Sequence, residues 1–382
     1  MGWRKFVSAP CRTDRGSLGC STTQSNQHDS AADTPGEHVN LERFRIFHLS
    51  DLHLADIANR LNLISSGLDI WSGGWRYLAS VLGLDERGSV SLGKPSTFDG
   101  HLAQRLTYLL QSLVNEAKRE RVASAILITG DLAATGLESD MQAARRYITG
   151  AGPVAEGYRT WPGLTTHGVP LLFMPGNHDR YQRLFMPGST EFENQFGNDW
   201  SFGQGIWKMG GKMRYALLEG VKERLAFLAC DLTLDPNDED LLLADWPGKG
   251  KVYPDSLQSM RDFTELVRDH FSPSVILWVT HFPPFFANLD DNLRLLDAEF
   301  LVQAAEDLAI DVVFSGHTHE FGPNNGIKTG QVNWITVGTA CCVERDDLPG
   351  LLVVDLVVEN GRLLHNQCIV RPVSVDSGLF IP

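Results

Sequence analysis

Asp311-Val312-Val313-Phe314-Ser315-Gly316-His317-Thr318-His319 decides how this 382-residue chain is read. Its first half is a short apolar run of the kind that forms a buried strand, closed by a glycine turn. Its second half puts two imidazoles one residue apart on the turn just past the strand end. Imidazole is a common metal ligand, and α/β sheets place their chemistry on loops beyond the carboxyl ends of strands. One His-x-His pair carries little weight alone. Four further turns after apolar runs carry polar residues of compatible type: Asp51-Leu52-His53, Gly130-Asp131, Gly176-Asn177-His178-Asp179 and His281. The chain reads as a means of bringing these five turns together.

Working outward, residues 44–50, 125–129, 170–174, 224–231, 274–280 and 312–315 read as strands. The first is apolar almost throughout, as a strand covered on both faces is, and His48 within it reads as a core histidine. Residues 101–120 give the clearest helix, with Leu102, Leu106, Leu109, Leu110, Leu113, Val114 and Ala117 on one stripe and Asp99 as its N-cap. Further helices are expected at 138–148, 255–270 and 297–309, the second of these closed by His270, which favours the helix dipole. Helix-to-strand steps of this kind define an α/β chain with mixed strands. Residues 331–370 read as consecutive strands, with a hairpin turn at Glu359-Asn360-Gly361.

Residues 1–40 are rich in Ser, Thr, Gly, Asp and Gln and read as an N-terminal tail, with His28 and His38 solvated. A single domain is expected over 41–372, followed by a short tail at 373–382. Two segments are long for connections and read as insertions, 54–100 and 180–220. Trp71, Trp75 and Tyr77 would form a small subcore in the first. The second is rich in Gly and aromatics and reads as an irregular region or lid. The acidic stretch 235–245 reads as a solvated loop.

Composition sets limits on function. At 43% hydrophobic and 21% charged the chain can bury a sizeable core. Its formal net charge of -14 disfavours a nucleic-acid polymer, whose binding runs on Lys and Arg. A small anionic substrate is compatible, because metal ions bring their own positive charge. Cys11, Cys20, Cys230, Cys341, Cys342 and Cys368 form no CxxC pair. Cys230 and Cys368 fall in apolar runs as buried thiols, which points to a reducing, cytoplasmic setting. No run approaches the roughly 18 apolar residues of a membrane span. The N-terminal region lacks the apolar core of a secretory signal, and Phe6 breaks the myristoylation pattern that Met-Gly would open.

The pooled side chains are Asp51, His53, Asp131, Asn177, His281, His317 and His319. Carboxylates, imidazoles and one amide, without thiolate, suit Mn, Fe, Zn or Mg. Seven ligands exceed what one ion with an open position needs, and divide naturally between two ions sharing one carboxylate. Such a pair can hold a phosphoryl oxygen, generate hydroxide near neutral pH and stabilise an in-line displacement. A protein nucleophile has no comparable support, since Gly-x-Ser-x-Gly is absent.

The five blocks, in this order and each after a strand, resemble the calcineurin-like metallophosphoesterase superfamily from about residue 44 to 338. The resemblance implies a four-layer αββα sandwich, two mixed β-sheets flanked by helices. It implies that Asp51, His53 and His319 hold one ion, that Asn177, His281 and His317 hold the second, and that Asp131 bridges. His178 would contact the phosphate and protonate the leaving oxygen as the catalytic residue. The reaction implied is hydrolysis of a small-molecule phosphate ester by hydroxide held at the dinuclear centre. Protein serine/threonine phosphatases resemble the chain less: their second block carries an acid that orients the catalytic histidine, where this chain has Ala134. Purple acid phosphatases have Tyr there. Gly130-Asp131-Leu132 with Gly176-Asn177-His178-Asp179 is similar to the bacterial cyclic-nucleotide phosphodiesterase-like branch, so a phosphodiesterase is expected. A phosphomonoesterase on the same site, or a non-catalytic scaffold of the same fold, is the alternative. With Ala134 in place of the acid, Asp179 or another group is expected to steady His178.

Overall fold

Alternation of apolar side chains on short strands, each covered on both faces, generates this fold. The computed structural model describes residues 41–55, 100–153, 160–181, 187–198, 200, 208–210, 213–238, 248–285, 294–319, 326–341 and 349–379. The tail read at 1–40, the first insertion beyond Ala55 with Trp71, Trp75, Tyr77 and Asp99, the acidic stretch beyond Asp238, and Cys11, Cys20 and Cys342 lie outside the described residues.

Along the chain come β1 (Leu41–Leu49), α1 (Gly100–Glu120), β2 (Ala123–Ile128), α2 (Glu138–Thr149), β3 (Leu171–Phe173) and the single turn α3 (Asn177–Arg180). Then follow α4 (Glu191–Phe196), β4 (Lys208–Gly210), β5 (Met213–Glu219), β6 (Arg224–Cys230), β7 (Gly250–Lys251), α5 (Pro254–Phe271), β8 (Val275–Val279), β9 (Leu295–Leu296) and α6 (Ala298–Asp307). The chain ends with β10 (Val312–Ser315), β11 (Gly326–Thr329), β12 (Val332–Thr336), β13 (Gly350–Glu359), β14 (Arg362–Leu363) and β15 (Ile369–Ser374). One sheet has the order β14-β13-β1-β2-β3, with β15 also paired to β13; the other has the order β11-β12-β10-β8-β6-β5-β4. Both mix parallel and antiparallel pairs.

Period-two alternation sorts the second sheet into two faces. Leu225, Phe227, Ala229, Val275, Leu277, Val279, Val312 and Phe314 join the core shared with the first sheet. Ala226, Leu228, Ile276, Trp278 and Val313 point the other way, onto Met260, Phe263 and Val267 of α5 and Leu301, Ala304 and Ala305 of α6. On the far side of the first sheet, α1 buries Leu102, Leu106, Leu110, Val114 and Ala117, and α2 buries Met141, Ala144, Tyr147 and Ile148, in the same core. The result is the helix–sheet–sheet–helix layering expected from the resemblance.

Two expectations need correction. The segment 180–220 is not simply irregular: it contributes α4 and two strands, and β5 pairs along its whole length with β6. Arg214 disguised the strand, because a charged residue sits among its inward positions. Its guanidinium donates to the Asn198 carbonyl and stacks on Trp200 at 4.5 Å, so it is buried without an unpaired charge. The C-terminal boundary also moves. β15 runs to Ser374, and Val373 and Val375 are buried, so the domain includes the start of the segment read as a tail. The hairpin turn forms as read, with Asn360 and Gly361 both at positive φ between β13 and β14.

Strand register assembles the five turns. Parallel pairing of β1 with β2 sets Leu49 against Ile128, and of β2 with β3 sets Ile128 against Phe173. The residues after β1, β2 and β3 therefore emerge side by side. In the other sheet, β8 and β10 pair in parallel with Val279 against Phe314. The two sheets meet at these ends through a bridge between Ser50 and Thr339.

Candidate metal centre

All seven ligand candidates from the sequence converge at the carboxyl ends of β1, β2, β3, β8 and β10. Asp51, His53, Asp131, His317 and His319 take positive φ between 47° and 72°. A left-handed non-glycine residue costs on the order of 1 kcal/mol, and such residues gather where the surrounding structure dictates them. Here the turns hold one another: Asp51 N–H donates to the Gly130 carbonyl at 3.1 Å, His53 N–H to Asp131 at 3.0 Å, and Gly316 N–H to His281 at 2.9 Å. Gly176 is required by space, since a Cβ there would overlap the Asp131 carboxylate.

Each carboxylate is anchored by one oxygen and leaves the other for the centre. Asp51 Oδ2 accepts the His317 N–H at 2.9 Å, and Asp131 Oδ1 accepts the His178 N–H at 2.8 Å. Asp51 Oδ1, Asp131 Oδ2 and His317 Nε2 are buried without a hydrogen-bond partner. Buried polar atoms of native proteins are nearly always satisfied, and a bound ion is one of the standard explanations when they are not. Around Asp51 Oδ1 lie His319 Nε2 at 3.2 Å and His53 Nε2 at 3.8 Å, with the two imidazole nitrogens 2.9 Å apart. Around Asp131 Oδ2 lies His281 Nε2 at 3.4 Å, which in turn is 2.9 Å from Asn177 Oδ1. Donor atoms of Asp51, His53 and His319 fall within 4.8 Å of one another, as do those of Asp131, His281 and His317, and those of His53, Asp131 and His178. Asp131 thus sits in the groups on both sides. The donor set of oxygen and imidazole nitrogen fits hard or borderline divalent ions.

Electrostatics prepares these groups for cations. Burial pushes the Asp51 carboxyl up, but the hydrogen bond and charge of His319 with the charge of His281 outweigh it and hold it below the usual carboxylate range. Asp131 is likewise held well below, burial being outweighed by His281 and His178. Burial, reinforced by neighbouring imidazoles, lowers His53 and His317 to about 3, so both offer lone pairs at neutral pH. Burial also opposes charge on His281, yet the charge and hydrogen bond of Asp131 prevail and raise it to about 9. A proton on His281 compensates Asp131 in the metal-free protein, and a metal would displace it.

His178 is held by a group other than Asp179. Its Nδ1 faces the Ala134 carbonyl at 2.9 Å, so Nδ1 carries the hydrogen and Nε2 is the nitrogen left to exchange protons. Its ring stands edge-on to His53 at 4.6 Å between centroids. Asp179 does not reach it: that carboxylate accepts the N–H groups of Leu132, Ala133 and Gly176 at 3.1, 2.8 and 2.9 Å and ties the second and third blocks together. Burial, then the Asp131 charge, raises Asp179 to about 7 against these three hydrogen bonds. A backbone carbonyl thus faces His178 at the position where the resemblance to serine/threonine phosphatases would put an acid.

His48 is a core residue as read, buried with Nε2 3.0 Å from Thr129 Oγ1. Sequence reading missed Tyr181, whose hydroxyl accepts from Asn177 Nδ2 at 2.8 Å; its position four residues after Asn177 is the signal that could have found it. A small pocket beside Asn177 is lined by Arg180, Tyr181, Pro187, Thr233, Leu234 and Lys249. Arg180 is committed there to Glu193 and Asp231.

A turn-borne Asp/His/Asn cluster at the meeting edge of two sheets is the arrangement of a metal-dependent phosphoesterase. The chain belongs to the calcineurin-like phosphoesterase family, whose description matches residues 44–321. Among solved structures, a dimetal phosphatase from Danio rerio is 13% identical, with a TM-score of 0.51 over 86% of this chain and 98% of that one. GAP50, the anchor in the inner membrane complex of Plasmodium, is 13% identical with a TM-score of 0.48, over 89% and 87% of the two chains. A 5'-nucleotidase from Candida albicans is 11% identical with a TM-score of 0.48, and this chain, aligned over 89% of its length, spans 52% of it. No curated protein matches the sequence. No helix among the described residues is long and apolar enough to cross a membrane.

Proposed function

We propose that the protein hydrolyses small-molecule phosphate esters, diesters foremost, at a centre of two metal ions. Asp51, His53 and His319 would hold one ion and Asn177, His281 and His317 the other, with Asp131 shared. Manganese, iron and zinc all suit that donor set. Bound there, two ions polarise the phosphoryl group and make hydroxide available at neutral pH. The observation that carries the reading is the trio of buried, unpartnered acceptors Asp51 Oδ1, Asp131 Oδ2 and His317 Nε2, gathered from three turns. His178 completes the chemistry. With Nδ1–H held on the Ala134 carbonyl, the imidazolium form of His178 would give its Nε2 proton to the departing ester oxygen and be left as the neutral Nδ1–H ring. The diester preference rests on the likeness of the second and third blocks to the cyclic-nucleotide phosphodiesterase-like branch. A net charge of -14 weighs against a polymeric nucleic-acid substrate. Cys230, Cys341 and Cys368 form no disulfide among the described residues.

The test is a panel of phosphate mono- and diesters assayed after chelation and after readdition of single metals. The expected result is hydrolysis abolished by chelation and restored by manganese, iron or zinc, with bis(nitrophenyl) phosphate turned over faster than nitrophenyl phosphate. Faster monoester turnover would overturn the diester assignment, metal-independent hydrolysis would overturn the metal-centre reading, and no hydrolysis would overturn the enzyme reading.

A further inference from the structure

We infer that the Tyr181 hydroxyl is a positioning residue for the metal centre: it fixes the Asn177 amide with its carbonyl oxygen facing His281 and the second ion. The inference rests on the reading of Asn177 as a ligand of that ion. Asn177 opens α3 and Tyr181 follows its last residue, so the two side chains lie four residues apart on one face. Asn177 Nδ2 donates to Tyr181 Oη at 2.8 Å, and the Gly248 N–H donates to the same oxygen at 2.7 Å. The phenol is buried. Its oxygen is fixed from a second side by backbone, since Gly248 leads into Gly250 and Lys251, which are bonded to Arg294 and Leu232.

With Nδ2 committed to Tyr181, Asn177 Oδ1 lies 2.9 Å from His281 Nε2. His281 Nδ1 faces the Thr129 carbonyl at 2.7 Å and must carry its hydrogen, so in the neutral ring Nε2 is a lone pair. Two acceptors that close need a proton or a cation between them. The opposite amide orientation would place an N–H on His281 Nε2, satisfying both groups without any ion and withdrawing two ligands together. The tyrosine hydroxyl, placed to accept from Nδ2, holds the ligating orientation; the flipped amide would require that hydroxyl to turn and donate to Oδ1 instead. Partners of this outer kind are worth about 10–100-fold in metal affinity.

The experiment is chelator-competition titration with zinc on the wild type, Tyr181→Phe, Asn177→Asp and the double variant. Tyr181→Phe is expected to weaken the second zinc about 10–100-fold while the first stays within about threefold. A carboxylate offers an oxygen whichever way it turns, so in the Asn177→Asp background Tyr181→Phe should change second-zinc affinity less than about threefold. Merely structural damage would carry over into that background. Should Tyr181→Phe fail to fold, NMR of the zinc-loaded wild type decides: slow exchange of an Asn177 side-chain N–H supports the inference, and fast exchange overturns it. Two zinc ions bound with unchanged affinity in Tyr181→Phe overturns this inference alone. A wild type that binds no second zinc overturns it together with the dinuclear reading.

Discussion

His178 Nδ1 lies 2.9 Å from a backbone carbonyl, and the role proposed for its other nitrogen sets what its replacement should do. His178→Ala is expected to keep both metals, because its imidazole is not needed to complete either ligand group, and to lose about 10²–10⁴ in turnover on an alkyl diester. The loss should shrink on nitrophenyl esters, whose leaving oxygen needs little protonation. Turnover on both esters with metal content measured alongside checks it; equal losses mean phosphate positioning instead of acid catalysis, and a lost metal makes His178 a ligand, consistent with its place within 4.8 Å of His53 and Asp131. Asp131→Ala and His281→Ala act on the centre itself. Both are expected to bring hydrolysis to background under limiting metal, with circular dichroism unchanged, because these side chains stand on turns rather than in the apolar core. Near-native activity in either variant would remove Asp131 or His281 from the ligand set.

Two loops and one strand show what the elements require. Gly176→Ala puts a methyl into the Asp131 carboxylate, which also receives the His178 N–H, so it is expected to disturb ligand and acid together. The variant should lose metal and activity, and because the methyl also meets the Asp131 backbone nitrogen a chelated sample should melt below chelated wild type; retained metal stoichiometry would contradict this. At the opposite end of β10, Asp311 accepts the Ile276 N–H, yet burial raises its pKa to about 6 against that bond and the charge of Arg268. A raised carboxyl favours the protonated fold, so its contribution is fully present below about pH 4 and is lost as pH rises through about 6. Asp311→Asn, which keeps an acceptor, should remove that slope and gain up to about 2 kcal/mol at pH 7–8. Urea denaturation at pH 4, 6 and 8 checks the sign, and an unchanged slope would sink it. What the sequence displayed at this scale follows the same physics. The five turns were legible because their side chains carry the chemistry, and the flanking strands because they are apolar. β5 was not, because Arg214 needs Trp200 and Asn198, which pattern cannot bring together. The grip on His178 was illegible for a different reason: a carbonyl of Ala134 has no side-chain signature, and the conspicuous acid, Asp179, turned out to hold the loop.

At the scale of the molecule, the centre spans the seam between the sheets. Asp51, His53, Asp131 and Asn177 follow strands of one sheet, whereas His281, His317 and His319 follow strands of the other. Each proposed ion therefore takes ligands from both: Asp51 and His53 with His319, Asn177 with His281 and His317. Without ions, the free carboxylate oxygens of Asp51 and Asp131 face only imidazoles across this seam, His319 at 3.2 Å and His281 at 3.4 Å, and their burial is a cost the apolar core must cover. Metal binding then acts as a clasp, and its effect on stability follows from linkage. An ion that binds only the folded chain adds about 2.7 kcal/mol at a free concentration of 100 times its Kd, for each site. Chelated protein is accordingly expected to melt several degrees below protein saturated with manganese or zinc, and a metal titration should saturate at two ions per chain. Removing His319 should cost the first ion and about half of that stabilisation; removing His317 should cost the second. Hydrogen exchange locates the effect: chelation is expected to deprotect the Asp51, Gly316 and His317 amides, which bond across the turns, while the centres of β1 and β13 stay protected. Equal melting temperatures with and without metal would mean that the ions do not join the sheets, and saturation at one ion would leave Asp131 with nothing to bridge.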